Sequence, residues 1–158
     1  MEYMNLNIIA FEIKLEKDFY NLNIEWLKKN FTVEKYDEEI LSNSKKYIID
    51  KGGEIFFAKT NDDIIGTVAL MPTSKKNVFE LSKMAVKTNY RNKGVGKQLL
   101  KKCLKFSKTK GLKSLILYSN RKLKNAIYLY KSYGFNEILL EKKPPYLRAN
   151  IKMEMKIA

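Results

Sequence analysis

The stretch Arg91-Asn92-Lys93-Gly94-Val95-Gly96-Lys97 combines residue types and spacing that can do chemistry. Two glycines let the backbone come close to a ligand, and the helix that follows leaves its first N–H groups without internal partners. Those groups, the positive end of the helix dipole, and the side chains of Arg91, Lys93 and Lys97 together suit a polyphosphate. A phosphorylated cofactor is the predicted ligand. Two commoner phosphate fingerprints fail on this stretch: Gly96-Lys97 is followed by Gln98 where a Walker loop needs Ser or Thr, and Leu99 stands where a dinucleotide loop needs a third glycine. Histidine is absent from the chain. Any proton transfer therefore falls to carboxylates, tyrosines, lysines or water.

The loop needs a strand before it and a helix after it. Glu80 to Val86 is apolar and alternating, which predicts a strand, while Val95, Leu99, Cys103 and Phe106 recur at helical spacing up to Lys110, with Gly111 as the stop. Ser114 to Tyr118 is a short apolar strand, so strand, helix and strand form a parallel pair with a right-handed crossover. Upstream, the spacing predicts a strand over 7–15 with Phe11, Ile13 and Leu15 on one side, helices over 16–29 and 35–42, and a further turn over 44–50. A hairpin follows, from Glu54-Ile55-Phe56-Phe57 through the turn Thr60-Asn61-Asp62-Asp63 to Ile64–Met71. Downstream, Leu123, Ala126, Ile127, Tyr130 and Tyr133 share a helical face ended by Gly134. Strands over 135–140 and 147–157 flank Pro144-Pro145. With no repeat, low-complexity tract or linker, residues 1–158 read as one domain.

Charge is unevenly placed. The net charge is +14, yet residues 1–80 carry a net −3 and residues 81–136 hold 15 Lys/Arg and no Asp/Glu. That distribution suits a polyanionic ligand on one side and a cationic acceptor on the other. The single cysteine, Cys103, sits on the apolar face of its helix and fits a reducing compartment. No apolar run approaches a membrane span, and Met1 to Asn7 lacks the features of a signal peptide, which predicts a cytoplasmic protein.

The motif R-x-x-G-x-G after a strand ending Met84-Ala85-Val86 resembles the acetyl-CoA-binding motif of the GCN5-related N-acetyltransferases, the GNAT superfamily. A second family hallmark, A-x-x-L-Y-x-x-x-G-F, is matched by Ala126, Leu129, Tyr130, Gly134 and Phe135. The resemblance implies an α/β fold with a mixed α+β sheet flanked by helices, in the order β-α-α-β-β-β-α-β-α-β-β. It implies acetyl-CoA as cosubstrate, with no metal. The pantetheine arm would lie on the main chain of Met84, Ala85 and Val86, and the pyrophosphate on the N–H groups of Asn92, Lys93, Gly94, Val95, Gly96 and Lys97 with Arg91 alongside. Tyr130 takes the place of the family's tyrosine acid. Many members carry an asparagine seven residues before that tyrosine; this chain has Leu123 there, and Asn120 is the candidate replacement.

Acetyl transfer to an amine of pKa about 10 needs a base to remove a proton and a donor for the oxyanion. The backbone N–H of Val86 suits the second task. Glu80, two steps of two before Met84, is the candidate base, with Glu25, Glu54 and Tyr118 in reserve. Trp26, Phe31 and Tyr36 are candidates to line an acceptor pocket or to pack the helices. The acceptor is expected to be a small-molecule amine or a protein amino group, and the family resemblance allows a homodimer. Two other classes fit parts of the sequence: a non-catalytic acyl-CoA sensor, and a basic nucleic-acid-binding module, which leaves the glycine loop and tyrosine helix unused.

Overall fold

Strand residues Glu54–Thr60 send Ile55 and Phe57 to one face and Phe56 and Ala58 to the other, and all four are buried. A strand apolar on both faces needs cover on both sides. A computed structural model describes residues 5–157 and shows how the chain supplies that cover. The strands are β1 (Leu6–Ala10), β2 (Glu54–Thr60), β3 (Asp63–Pro72), β4 (Val78–Val86), β5 (Ser114–Ser119), β6 (Asn136–Ile138) and β7 (Ile151–Lys156). The α-helices are α1 (Glu16–Asn30), α2 (Lys35–Ser42), α3 (Val95–Lys110) and α4 (Lys124–Ser132). One sheet in the order β1-β2-β3-β4-β5-β7-β6 runs through the molecule, antiparallel everywhere except between β4 and β5.

Phe19 and Leu27 of α1 and Ile40 and Leu41 of α2 pack on Ile55, Phe57, Ala69 and Met71. On the opposite face Val95, Leu99, Leu100 and Cys103 of α3 pack on Phe56, Val68 and Leu81, and α4 leans against the same core through Ile127, Leu129 and Tyr130. The mixed sheet and its helices thus have the element order expected from the sequence.

Three boundaries differ. Ile13–Leu15 forms a short 3-10 turn, closed by the Leu15 N–H to the Glu12 carbonyl, so the alternation past Ala10 is not a strand and Ile13 is exposed. Helix α4 starts at Lys124, because residues 119–123 turn instead under the Asn120 side chain. Strands β6 and β7 are short, leaving 139–150 as a long connection over the face of the sheet that carries α2. Among the described residues no helix is long and apolar enough to cross a membrane. The reading of the first residues as free of a leader rests partly on Met1–Met4, which lie outside the described residues.

Candidate functional site

Strands β4 and β5 pair only through Val78, Phe79 and Glu80 against Ser114, Leu115 and Ile116. Beyond those pairs they part. The opening widens into a cavity of about 640 Å³ lined by Leu81–Val86 on one wall and Leu117–Asn120 on the other. The same cavity reaches the glycine loop at one end and Trp26, Phe31 and Tyr146 at the other.

A bulge shapes the β4 wall. Ser82 pairs with Ala69 and Ala85 with Thr67, so Lys83 and Met84 together face Val68, and Lys83 takes the left-handed conformation at φ 57°. The extra residue shifts the alternation by one. Glu80, Ser82 and Lys83 therefore point toward α2 and the 139–150 connection, while Met84 packs with Phe79 and Leu81 on the α3 side. Counting by twos had put Glu80 and Met84 on one face; the bulge puts them on opposite faces. Beyond it, Lys87 N–H donates to the Ile65 carbonyl at 2.8 Å, which makes Val86 and Gly66 the non-bonded pair of the antiparallel ladder. The Val86 N–H is thereby directed into the cleft. By the same alternation the main chain of Ala85 is directed to Thr67, away from it.

At the loop, Asn92 and Gly94 have φ of 60° and 83°, and the first N–H bonded across the start of α3 is that of Gln98, donated to the Gly94 carbonyl at 3.1 Å. The N–H groups of Val95, Gly96 and Lys97 precede it and are left for an external acceptor. Arg91 donates through Nε to the Val86 carbonyl at 3.2 Å, while its Nη2 is buried without a partner. A buried guanidinium nitrogen without an acceptor, beside free amides at a helix start, fits an anionic group. The thirteen residues singled out from the sequence for catalysis or cofactor binding come together here with two exceptions: Glu80 and Lys93 stand outside the cavity lining.

Tyr130 lines the cavity from α4 against Phe135, its ring centroid 5.8 Å away. Burial and the nearby Cys103 push its hydroxyl up to about 12, so it stays protonated. Asn120 also lines the cavity, but its amide donates to the Arg148 carbonyl at 2.8 Å and accepts from Lys122 N–H at 2.9 Å. Its position is that of a brace between the turn and the long connection. Asn125, on the first turn of α4, also lines the cavity. Of the reserve groups, Tyr118 lines the cavity and donates to Glu141, and Glu25 accepts from Thr88 on the exposed side of α1.

One cluster was not legible in the sequence. Asp37, wholly buried in α2, accepts from Lys83 Nζ at 3.1 Å, from Arg148 Nη1 and Nη2 at 2.6 and 2.9 Å, and from the Glu34 N–H at 3.0 Å. Burial opposes its ionisation, yet the Arg148 hydrogen bonds and the charge of Lys83 prevail and hold the carboxyl below the usual range. Glu80 is also buried, and burial pushes it up despite the Tyr146 hydroxyl that donates to it at 2.8 Å. The acid-rich start of α2 was the only sequence signal here; nothing marked Lys83 or Arg148 as its partners. Among the described residues no group of three or more metal-ligating side chains occurs.

A mixed seven-stranded sheet parted between β4 and β5, with a glycine loop and helix start at its mouth, is the fold of the acyl-CoA N-acyltransferases. The profile of the acetyltransferase (GNAT) family matches residues 17–135, and the chain belongs to that family. A GNAT-family acetyltransferase from Staphylococcus aureus Mu50 superposes with TM-score 0.86 and 26% identity, covering 97% of this chain and 99% of that one. PaiA N-acetyltransferase from Thermoplasma acidophilum, solved in complex with coenzyme A, shares the fold at TM-score 0.75 and 22% identity over 97% of this chain and 99% of its own. Probable N-acetyltransferase 14 from Xenopus tropicalis is 43% identical over 74 residues, 47% of this chain and 36% of the relative. The chain spans about a third to a half of the length of the curated relatives it matches first.

If Asp37 is what holds α2, the bulge and the long connection together, its removal leaves the buried Lys83 without its ion-pair partner and Arg148 with Glu34 alone. Asp37→Ala is expected to cost about 3–5 kcal/mol in urea unfolding at pH 7. Because the carboxyl is held below its unfolded value, the contribution is full above the ordinary carboxylate range and is lost as pH falls through the lowered value. The gap between variant and wild type should narrow there; a gap below about 1 kcal/mol at pH 7 would show the cluster to be dispensable.

Proposed function

We propose that residues 1–158 form one N-acetyltransferase domain that moves the acetyl group of acetyl-CoA to a primary amine by direct attack in a ternary complex. The observation that carries this reading is the single cavity joining the unpartnered Arg91 nitrogen and the glycine loop to the Val86 N–H and Tyr130. Arg91 and the N–H groups from Asn92 to Lys97 would hold the diphosphate, and Met84 and Val86 would flank the pantetheine. Bound there, acetyl-CoA supplies an activated thioester carbonyl. The Val86 N–H is the donor for the carbonyl oxygen as negative charge builds on it. Glu80 takes a proton from the acceptor ammonium, and Tyr130 gives one to the departing sulfur. The bound coenzyme A of the Thermoplasma relative supports the cofactor assignment. An amine acceptor is supported by the N-acetyltransferase names of the relatives.

Two sets of measurements test this. A Cβ added at Gly96 would meet only Met84 Sδ, at 3.6 Å, so Gly96→Ala should fold with wild-type stability. It should still bind acetyl-CoA about tenfold more weakly in calorimetry, roughly the loss of one hydrogen bond to the diphosphate.

Thiol release from acetyl-CoA across a panel of amines reads turnover. Glu80→Gln and Tyr130→Phe should each lower kcat by about 10²-fold or more while acetyl-CoA affinity is kept. A base works ionised, and burial holds Glu80 above its usual range, so kcat/KM should fall as pH drops through that raised value and Glu80→Gln should lack this limb. Uptake of acetyl-CoA with no thiol released by any amine would make the chain a sensor.

A further inference from the structure

The base assigned above does not face the cavity. Glu80 is buried, and the Tyr146 hydroxyl donates to its Oε2 at 2.8 Å. Tyr146 does line the cavity, with Ser82 Oγ 3.1 Å and Lys83 Nζ 3.5 Å from its hydroxyl. Its ring is fixed from several directions. Lys83 Nζ and the Arg148 guanidinium lie 4.4 and 4.7 Å from its centroid, and the rings of Tyr36 and Tyr118 stand 5.5 and 6.0 Å away. Ser82 and Lys83, whose polar atoms flank that hydroxyl, line the cavity as well, whereas Glu80, to which the hydroxyl donates, does not. An acceptor nitrogen in the cavity reaches Glu80 through that hydroxyl.

We propose that Tyr146 is a catalytic residue that meets the acceptor ammonium and relays its proton to Glu80; this rests on the N-acetyltransferase reading above. The N–H bond breaks as a new O–H bond forms on Tyr146, while the phenol's original O–H bond breaks and its proton bonds to Glu80 Oε2. The phenol ends as it began, the nitrogen keeps its electron pair for attack, and Glu80 becomes neutral. The second nitrogen proton, shed as the carbon–sulfur bond breaks, passes to the Tyr130 oxygen and replaces the one that Tyr130 gives to the departing sulfur, so Tyr130 also ends as it began. After product leaves, Glu80 returns its proton to solvent by the same route.

The charges around the relay are arranged for this traffic. Lys83 and Arg148 cross the Tyr146 ring from the bulge and the long connection, and Asp37 and Glu34 of the α2 segment balance them. Lys152 of β7 adds positive charge toward Glu80, and Glu141 lies beyond Tyr118. With the two cation–carboxylate pairs matched, Glu80 is the carboxylate left to accept a proton through the hydroxyl.

The test uses the full chain with acetyl-CoA and three amines: spermidine, an α-amino acid amide and a lysine-containing peptide. Kinetics are taken with whichever releases most thiol. Tyr146→Phe should lower kcat by about 10²-fold or more, as Glu80→Gln does, and the double variant should be no slower than either single one, because both remove the same path. Acetyl-CoA affinity should be unchanged, and the rise of kcat/KM with pH due to Glu80 should be missing from Tyr146→Phe. Wild-type turnover in Tyr146→Phe, or a double variant slowed by the product of the single effects, overturns the relay alone. Thiol release absent from the wild type overturns the relay and the N-acetyltransferase reading together. Should Tyr146→Phe fold poorly, the wild type carries the test: kcat/KM for the slowest of the three amines against deuterium fraction should curve, since two protons move, and a straight line overturns the proposal.

Discussion

Four donors from three separate segments converge on the carboxylate of Asp37, and the cleft depends on that convergence. One donor is Lys83, the residue at the crest of the β4 bulge. A lysine in the left-handed region costs about 1–3 kcal/mol, whereas breaking a buried ion pair costs about 3–5 kcal/mol. The pair outweighs the strain, so the bulge persists. From the bulge follows the rest: Met84 moves to the α3 side, the Val86 N–H turns to the gap, and Glu80 is drawn under the long connection. Arg148 extends the same network to that connection, which brings Tyr146 over Glu80.

The charge map takes on a different meaning in this light. The acidic first half of the sequence suggested attraction for a cationic acceptor. Part of that negative charge is neutralised inside the protein, where Glu34 and Asp37 face Arg148 and Lys83. Of the basic segment, Arg91 and the start of α3 stand at the cavity, while Lys83 is buried in the ion-pair cluster. A charge total over a stretch of chain therefore says little about the field inside the cleft.

Strand and helix order were legible because they rest on periodicity, and most elements carry it plainly: Val95 to Cys103 on α3, Ile55 to Ala58 on β2. The alternation at Phe11, Ile13 and Leu15 misled because a 3-10 turn also spaces its residues so that one side chain buries and another is exposed. The glycine loop was readable from local chemistry. Its backbone geometry is set by Asn92 and Gly94 themselves. The face occupied by Glu80 was not, since a bulge is one extra residue whose presence depends on contacts with α2. Least legible were Asp37, Lys83, Tyr146 and Arg148, which lie up to 111 residues apart and share no spacing rule. Their types are ordinary; only folding makes them neighbours.

The lone sulfhydryl has a use outside catalysis. Cys103 is wholly buried in α3, and burial in apolar surroundings holds it in the unreactive protonated form. A sulfur-directed dye added to the resting protein can label it only when α3 lifts from the sheet. The slow uptake of one equivalent would then act as a clock for local opening beneath the glycine loop. Any cosubstrate that grips the mouth of the cleft would slow that clock, in a chain that needs no engineered probe to show it.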